Sequence, residues 1–412
     1  MSKPYFCAVI GKGFGDEGKG MAVDFLSSRY NKTLVIRHNG GAQSGHTVEL
    51  PDKRFVFHEL SSGSFRCADT LWADTYFPDL YKLGEEVSAF RDVAGLVPNI
   101  FAQVDTPITT IDDVLLNMAA EKSRGANRHG SCGMGIYEAQ CRSNAGFSIT
   151  IGELLGWGNE ELVARLKAIR KEYLPVRLQE LGLDEEMLGE YGEMLRSDTV
   201  LENVAWEMLE NLQYVKLIED MEAFISGYDC VIFENGQGLL LDSENEKYSP
   251  HVTASRTGLT NPCEFLKRFN YKLDEVIYVT RSYVTRHGAG PLPNECEKSE
   301  LGICEEDRTN RENAWQGSLR YARHESAENF VRDIKMDLQN LNRYNFPMPK
   351  RALLITHLNE TGNCVLSQEG NYPVKEFCKM PPVADTFECI FQSKTRFSQD
   401  IYSYSYSSGD SI

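Results

Sequence analysis

Residues 5–20 read YFCAVIGKGFGDEGKG, and this stretch decides the fold. Residues 5–10 are apolar and favour a β-strand, residues 11–20 are dense in glycine, and residues 21–29 continue in a helical pattern. The spacing G-x-x-x-x-G-K is satisfied, but Gly20 stands where a phosphate-binding loop has Ser or Thr. The pattern predicts a loop whose N–H groups and Lys19 can bind phosphate, although such loops are often only tight turns.

The alternation of strand and helix continues along the chain. Further strands are predicted at 33–37, 99–104, 229–234, 274–280 and 351–357, with helices at 112–122 and 327–341. This order predicts an α/β fold with a largely parallel central sheet flanked by helices. Residues 152–220 are rich in Leu and Glu, with helical stretches at 160–173 and 201–218 and no convincing strand, which predicts a helical insertion. Residues 1–412 are expected to form one domain.

Composition excludes several classes of protein. The 412 residues are 42% hydrophobic and 25% charged, as in globular proteins with a large core. The formal net charge of −17 argues against nucleic acid and anionic membranes as partners, because both bind basic surfaces. The 11 cysteines form no metal-binding pattern, so no zinc site is expected. Without a membrane span or a signal peptide in the sequence, we expect a cytoplasmic protein.

A second glycine-rich block, GGAQSGHT, occupies residues 40–47. With GDEGKG at 15–20, it resembles the adenylosuccinate synthetases, whose corresponding blocks are GDEGKG and GGxNAGHT. The resemblance implies that Asp16 is the general base for the purine N1 proton and that Asp16 and the Gly45 carbonyl bind Mg2+. It further implies that His46 is the acid at the 6-oxyanion and that Gln43, in place of Asn, binds the nucleotide. The triphosphate would be bound by Gly15, Glu17, Gly18, Lys19, Gly20 and Thr47.

Three later blocks match the same family in chain order. They are FENGQGLLLD at 233–242, VTAS at 252–255 and TRHGAGPLPNE at 285–295. The family has FEGAQGxLLD, VTSS and TRVGxGPFPTE at these places. The resemblance implies that Gln237 contacts the purine base during catalysis and that Thr253 binds the 5′-phosphate. Asp242 is expected to be structural, whereas Arg281 and Arg286 suit an anionic ligand slightly better than surface ion pairs.

One phosphate-binding block departs from the family pattern. SCGMGIY at 131–137 stands where other members have TTGRGIG. The resemblance implies that Ser131 and Cys132 bind the purine nucleotide, although a thiol is a weak donor. The arginine that family members supply across a dimer aligns with Gly146, and Arg142 lies nearby as a candidate substitute. A homodimer is therefore expected, while its part in completing the site stays open.

The block TNRENAWQGSLR at 309–320 stands where the family has TxRPRRCGW. The resemblance implies that Thr309 and Arg311 bind aspartate and that Arg311 also contacts the nucleotide. Asn313 replaces the second arginine, which weakens bidentate capture of a carboxylate and leaves a different amine as an alternative. The WQGSLR form looks like the phage branch of 2-aminoadenylosuccinate synthetases, which act on dGMP. Because that branch usually has Ser as the general-base residue, Asp16 favours an IMP-like nucleotide.

The block THLN at 356–359 stands where the family has the guanine-reading TKxD. An Asp accepts two N–H bonds from guanine, whereas Asn359 offers one acceptor and one donor and also suits adenine. ATP and GTP both stay open as the phosphate donor.

The resemblance therefore implies a ligase that joins aspartate to C6 of an IMP-like nucleotide. It would use Mg2+, a 6-phosphoryl intermediate and a nucleoside triphosphate that is cleaved to the diphosphate and phosphate. Three alternatives remain: the same chemistry on dGMP or GMP, a ligase with a different amine donor, and a catalytically silent purine-nucleotide-binding regulatory protein. The joint presence of Asp16, Lys19, His46 and Gln237 argues against silence, because binding alone needs neither a base nor an acid.

Overall fold

The computed structural model describes residues 3–125, 128–305, 307, 310, 315 and 317–404. The strands in these ranges are β1 (Tyr5–Gly11), β2 (Thr33–Arg37), β3 (His46–Glu49), β4 (Arg54–Phe57), β5 (Asp69–Trp72), β6 (Ile100–Ala102), β7 (Val215–Leu217), β8 (Cys230–Gly238), β9 (Glu275–Arg281), β10 (Val284–Arg286), β11 (Glu295–Cys296), β12 (Arg320–Ala322), β13 (Lys350–Thr356), β14 (Cys364–Ser367), β15 (Gly370–Pro373), β16 (Cys389–Ser393) and β17 (Ile401–Tyr404).

Ten of these strands form one sheet in the order β17-β16-β13-β9-β1-β8-β2-β5-β6-β7. Only β17 runs antiparallel to its neighbour, and the other neighbouring strands are parallel. The predicted largely parallel α/β sheet is confirmed. Because parallel strands end at the same edge, the loops after β1, β2, β8, β9 and β13 lie side by side.

The α-helices are α1 (Lys19–Ser27), α2 (Leu80–Ala94), α3 (Ile111–Arg124), α4 (Ile136–Arg142), α5 (Ile151–Leu154), α6 (Asn159–Glu172), α7 (Leu174–Leu181), α8 (Glu185–Leu188), α9 (Glu190–Arg196), α10 (Asp198–Asn211), α11 (Met221–Ile225), α12 (Thr260–Arg268), α13 (Ala327–Leu338), α14 (Asn340–Arg343), α15 (Val374–Lys379) and α16 (Pro381–Thr386). Helices α5 to α10 fill the predicted insertion. In the described part of the chain, no helix is long and apolar enough to cross a membrane.

The insertion departs from the prediction at its end. The helix predicted over 201–218 stops at Asn211, and Val215–Leu217 form β7, which pairs with β6 at the edge of the sheet. The prediction that 152–220 contains no strand was wrong. A three-residue strand is too short to show a period of two, and its pairing with β6 supplies the stability that local sequence cannot.

Strand β1 lies in the middle of the sheet and is buried on both faces. Phe6, Ala8 and Ile10 pack into one hydrophobic cluster, and Cys7 and Val9 pack into another on the opposite face. This two-sided burial explains the continuous apolar run. It also fixes the position of the glycine loop that follows.

Candidate active site

The loop between β1 and α1 is held from the inside by Glu17. Its carboxylate accepts hydrogen bonds from the N–H groups of Gly13 and Gly15, at 2.9 and 2.8 Å. The buried Lys19 Nζ donates to the Gly15 carbonyl at 2.7 Å and lies 3.3 Å from Glu17 Oε2. Both side chains therefore stabilise the loop itself. No side chain caps the first turn of α1 in the described structure, so its N–H groups form the natural phosphate-binding end of the loop.

Asp16 lies at the tip of this loop. Arg281, at the end of β9, donates from Nε to the Asp16 main-chain carbonyl at 2.5 Å. Burial raises the pKa of the Asp16 carboxyl, while His287 and Arg281 oppose that rise. The side chain stays about one-fifth exposed, at 20%. A partly accessible carboxylate with a raised pKa is suited to accept a proton.

His46, at the start of β3, is oriented by a buried carboxylate. Its Nδ1 lies 2.6 Å from Glu234 Oε1, and Arg37 lies 3.5 Å from the other oxygen of Glu234. Ser62 donates to the same Glu234 carboxylate through its hydroxyl and its N–H. Burial works to raise the pKa of Glu234, but Arg37 and His46 lower it to about 2.

The contact with Glu234 determines what His46 can do. A distance of 2.6 Å to a carboxylate requires a proton on Nδ1, so the neutral ring presents Nε2 as an acceptor. That Nε2 is buried and has no hydrogen-bond partner among the described residues. Burial lowers the pKa of His46 to about 4, although Glu234 works against it. His46 can therefore donate from Nε2 only when it gains a second proton, which Glu234 and a developing oxyanion would both favour.

Two close approaches bring the sequence blocks together. Gly15 has φ +114, and a Cβ there would lie 2.9 Å from Gln237 Oε1, which places Gln237 beside the loop of Asp16. A Cβ on Gly20 would lie 3.0 Å from the Thr47 carbonyl and 3.1 Å from His46 Cβ. Helix α1 therefore packs directly against β3. The structure thus gathers the three predicted catalytic residues at one edge of the sheet, around the ends of β1, β2 and β8.

The remaining residues of the 40–47 block line the same edge. The amide of Gln43 folds over Gly40, with Nε2 2.5 Å from the position that a Cβ on Gly40 would take. Gly45 is exposed, and Thr47 is half-buried on β3.

The predicted phosphate residues lie on two loops that touch each other. Ser131 Oγ donates to Asn117 Oδ1 at 2.8 Å, and burial raises the pKa of the Cys132 thiol to about 11. The half-buried Thr253 donates its N–H to the Leu241 carbonyl. The loops are joined where His251 Nδ1 lies 3.0 Å from the His129 carbonyl.

The predicted aspartate-binding residues Thr309 and Arg311, and Asn313 beside them, lie outside the described residues. Asn359 is exposed after β13, and its Nδ2 lies 3.4 Å from both carboxylate oxygens of Glu305. The block THLN at 356–359 is anchored to the loop between β1 and α1, because Thr356 Oγ1 donates to the Glu17 carbonyl at 2.8 Å.

The comparison with protein families fits this arrangement. The family model described as adenylosuccinate synthetase matches residues 8–317. The chain belongs to this family. Among curated relatives, adenylosuccinate synthetase of Penicillium rubens is 30% identical over 295 residues, which are 70% of this chain and 64% of the relative. The enzyme of Buchnera aphidicola is 28% identical over 306 residues, which are 70% of this chain and 64% of the relative. The matched region thus spans less than two thirds of these relatives.

Solved structures of the family share the fold over nearly the whole chain. Fully ligated adenylosuccinate synthetase of Plasmodium falciparum has a TM-score of 0.65 at 17% identity, covering 96% of this chain and 98% of that one. Cyanophage S-2L succinoaminodeoxyadenylate synthetase, bound to dGMP and dATP, has a TM-score of 0.61 at 12% identity, covering 97% and 95%.

Within this family fold, three arginines do not lie as the sequence suggested. Arg142 is buried and donates to the Asp113 carboxylate and to two main-chain carbonyls, so it cannot reach across a dimer. Arg286 is buried over the ring of Phe14 and donates to main-chain carbonyls rather than facing an anion. Arg281 pairs with Asp307 at 3.2 Å and supports the Asp16 loop. A sequence pattern cannot separate a buried arginine from an exposed one.

No role was predicted from the sequence for Glu234 or Arg37, whereas the expectation for Asp242 held. Glu234 was part of a quoted block, and its position three residues before Gln237 was the available signal. Arg37, which contacts both Glu234 and His46, carried no signal of its own. Asp242 is structural, as expected, since it accepts hydrogen bonds from Arg256 and from the N–H of Thr257.

Proposed function

We propose that this chain is a ligase that couples the amine of aspartate to C6 of a 6-oxopurine nucleoside monophosphate of the IMP type. Cleavage of a nucleoside triphosphate to the diphosphate and phosphate would drive the reaction. The observation that carries the proposal is the convergence of Asp16, His46 and Gln237 at one edge of the sheet. A site that only bound a nucleotide would need neither a carboxylate of raised pKa nor a histidine held by a buried carboxylate.

We assign one part of the reaction to each of these residues. Asp16 removes the proton from N1, the electron pair moves to O6, and O6 attacks the γ-phosphorus so that the diphosphate leaves. His46 and Gln237 stabilise the oxygen that carries the charge. The amine of aspartate then attacks C6, the C6–O bond breaks, phosphate leaves and the amine loses a proton. Positioning and charge neutralisation supply most of the acceleration.

The described residues fit a magnesium ion bound mainly through substrate phosphates. They include no group of three or more His, Cys, Asp or Glu residues that could hold a metal ion. Asp16 offers a partly accessible carboxylate and Gly45, an exposed residue, offers a main-chain carbonyl, and both are hard oxygen donors. Bound there, Mg2+ would neutralise charge on the triphosphate.

The substrate contacts are proposals of the same kind. The triphosphate would bind at the first turn of α1, and Asn359 would contact its base. Gln43, Ser131, Cys132 and Thr253 would bind the acceptor nucleotide, and Thr309 and Arg311 would bind aspartate.

The expected homodimer stays a proposal that light scattering can test against the 46.6 kDa mass of one chain. Since Arg142 is committed to Asp113, a dimer would have to complete the site with another group.

The test is a matrix of reactions read by mass spectrometry. The protein is incubated with aspartate, Mg2+, ATP or GTP, and each of IMP, GMP, dIMP and dGMP. We expect a succinylated product with IMP, formed together with equal amounts of diphosphate and phosphate. Absence of a succinylated product from all eight combinations would refute the proposal. Triphosphate cleavage that does not require an acceptor nucleotide would also contradict it.

A further inference from the structure

His287 is a second histidine near the carboxylate of Asp16. Strand β1 lies between β9 on one side and β8, followed by β2, on the other. Gln237 and the Glu234 that orients His46 belong to β8, whereas His287 follows β10, which is connected to β9. Asp16, in the loop after β1, therefore has Gln237 beside its loop and His287 beside its carboxylate.

The imidazole of His287 is close to Asp16 but is not bound to it. Its Nε2 lies 3.9 Å from Asp16 Oδ2, which is beyond hydrogen-bond range, and its side chain is 16% exposed. Its Nδ1 is buried and has no hydrogen-bond partner among the described residues. No described protein group fixes the tautomer, so Nε2 can accept or donate as a ligand requires. The family block TRVG has an apolar Val at this place.

The order of atoms along a purine edge shows what His287 would meet. In a 6-oxopurine, N1 lies between C6, which carries the oxygen, and C2. If N1 faces Asp16 and O6 faces His46 and Gln237, C2 must face the opposite side. An inosine base carries only hydrogen at C2, which an apolar side chain suits. A guanine base carries an amine there, which needs an acceptor.

We propose that His287 is a specificity-determining residue that accepts a hydrogen bond from a 2-amino group of the acceptor nucleotide. The acceptor class of the site then includes 2-amino-6-oxopurine monophosphates beside IMP. This inference rests on the proposed function, because that function places N1 against Asp16. The polar ring on the C2 side is the feature of this chain that an IMP-only site would not need.

The experiment compares His287→Val with His287→Asn and the parent protein. Acceptors are used in pairs that differ only at C2, IMP with GMP and dIMP with dGMP, so that the effect of the sugar cancels within each pair. The readouts are the ratio of kcat/KM values within each pair and the ratio of Kd values measured by calorimetry without a triphosphate. Val removes the acceptor at nearly constant volume, and Asn restores one.

We expect the parent to bind and use the 2-amino member of each pair. In His287→Val, the ratio of the 2-amino to the unsubstituted nucleotide should fall about tenfold, the worth of one hydrogen bond. His287→Asn should recover part of that loss. An unchanged ratio in His287→Val, an equal loss for both members of a pair, or a parent that neither binds nor uses GMP and dGMP would overturn the inference.

The two proposals fail in different ways. If no acceptor reacts but the Kd ratio responds to His287→Val as expected, the ligase proposal is wrong and the contact with C2 stands. If IMP reacts and the ratios do not respond, the ligase proposal stands and the role of His287 is wrong.

Discussion

Asp16 combines two properties that an exposed aspartate lacks. Burial raises the pKa of its carboxyl, and Arg281 fixes its main chain through a hydrogen bond to the carbonyl. A higher pKa makes the carboxylate a better proton acceptor, and a fixed main chain limits where it can lie.

Replacing Asp16 by Asn should therefore affect turnover far more than binding. We expect kcat to fall about 10²–10⁴-fold, the usual worth of a positioned base, while the Kd of the acceptor nucleotide changes little. Steady-state kinetics and calorimetry measure the two quantities. Asp52→Asn, at a carboxylate whose side chain is 76% exposed, is the matched control and should behave as the parent. Near-parental turnover of Asp16→Asn with saturating substrates would contradict the assigned role.

Glu234 acts on His46 through charge as well as through orientation. Glutamine can still accept the Nδ1–H of His46, but it no longer favours a second proton on the ring. In Glu234→Gln we expect kcat to fall about 10–100-fold, the range seen when a metal-bound histidine loses its carboxylate partner. His46→Ala should lose more, since it removes the donor itself.

Because Glu234→Gln also leaves Arg37 without its buried carboxylate, the variant should melt at a lower temperature. Activity is therefore compared below that melting temperature. A Glu234→Gln protein as active as the parent would show that orientation alone accounts for this contact.

At the scale of elements, the turn after β13 presents Asn359 to the solvent beside Glu305. The preceding Thr356 ties this turn to the loop of Asp16, so a triphosphate on α1 could bring its base within reach of Asn359. An amide offers one donor and one acceptor, which leaves adenine and guanine both acceptable.

Asn359→Asp should shift the phosphate donor toward GTP. The new carboxylate can accept two N–H bonds from guanine but cannot donate to adenine. The measurement is the ratio of kcat/KM for GTP and ATP, which we expect to be at most one in the parent and to rise about tenfold in the variant. Asn342→Asp, at an exposed position of α14, should leave the ratio unchanged. A parent that strongly prefers GTP, with no change in Asn359→Asp, would contradict this prediction.

The hydrophobic pattern alone predicted six of the ten strands of the main sheet, and it failed where neighbours decide the conformation. The strand predicted at 33–37 has the bounds of β2, because all five residues are buried and Leu34, Val35 and Ile36 form an apolar run. Strand β7 was missed because its three residues are a strand only through pairing with β6. Arg142 was a candidate for the arginine supplied across a dimer, yet it pairs with Asp113 on another helix, and no spacing rule relates the two.

At the scale of the whole molecule, the alternation of strands and helices predicted a parallel sheet but not the order of its strands. That order places β9 and β8 on either side of β1. The ends of these strands and the segments that follow them bring Gln237 beside the loop of Asp16 and His287 within 3.9 Å of its carboxylate. The roles of the catalytic residues could be expected from their resemblance to a family, whereas the role of His287 depends on topology, which sequence periodicity does not contain.

The core of the molecule also buries the carboxyl group of Asp337, which should make the stability of the protein depend on pH. Asp337, on α13, accepts hydrogen bonds from the Leu259 N–H and the Tyr278 hydroxyl, both at 2.8 Å. It thereby joins α13 to α12 and to β9 in the centre of the sheet. Burial raises its pKa to about 6, although these hydrogen bonds lower it.

Because the folded pKa is raised, folding retains a proton that the unfolded chain releases at lower pH. The contribution of Asp337 is fully present below about pH 4 and is lost as the pH rises through about 6. A shift of two units corresponds to about 3 kcal/mol of unfolding free energy.

Asp337→Asn resembles the protonated acid, since its amide can accept from Leu259 and donate to Tyr278. The free energy of unfolding should therefore decline less steeply between about pH 4 and pH 6 in the variant. Urea denaturation at each pH measures this difference, and subtracting the two curves removes other buried acids such as Asp79. Asp52→Asn is the control whose curve should follow the parent. Parallel curves for the parent and Asp337→Asn would mean that Asp337 is already ionised in the folded protein at pH 4.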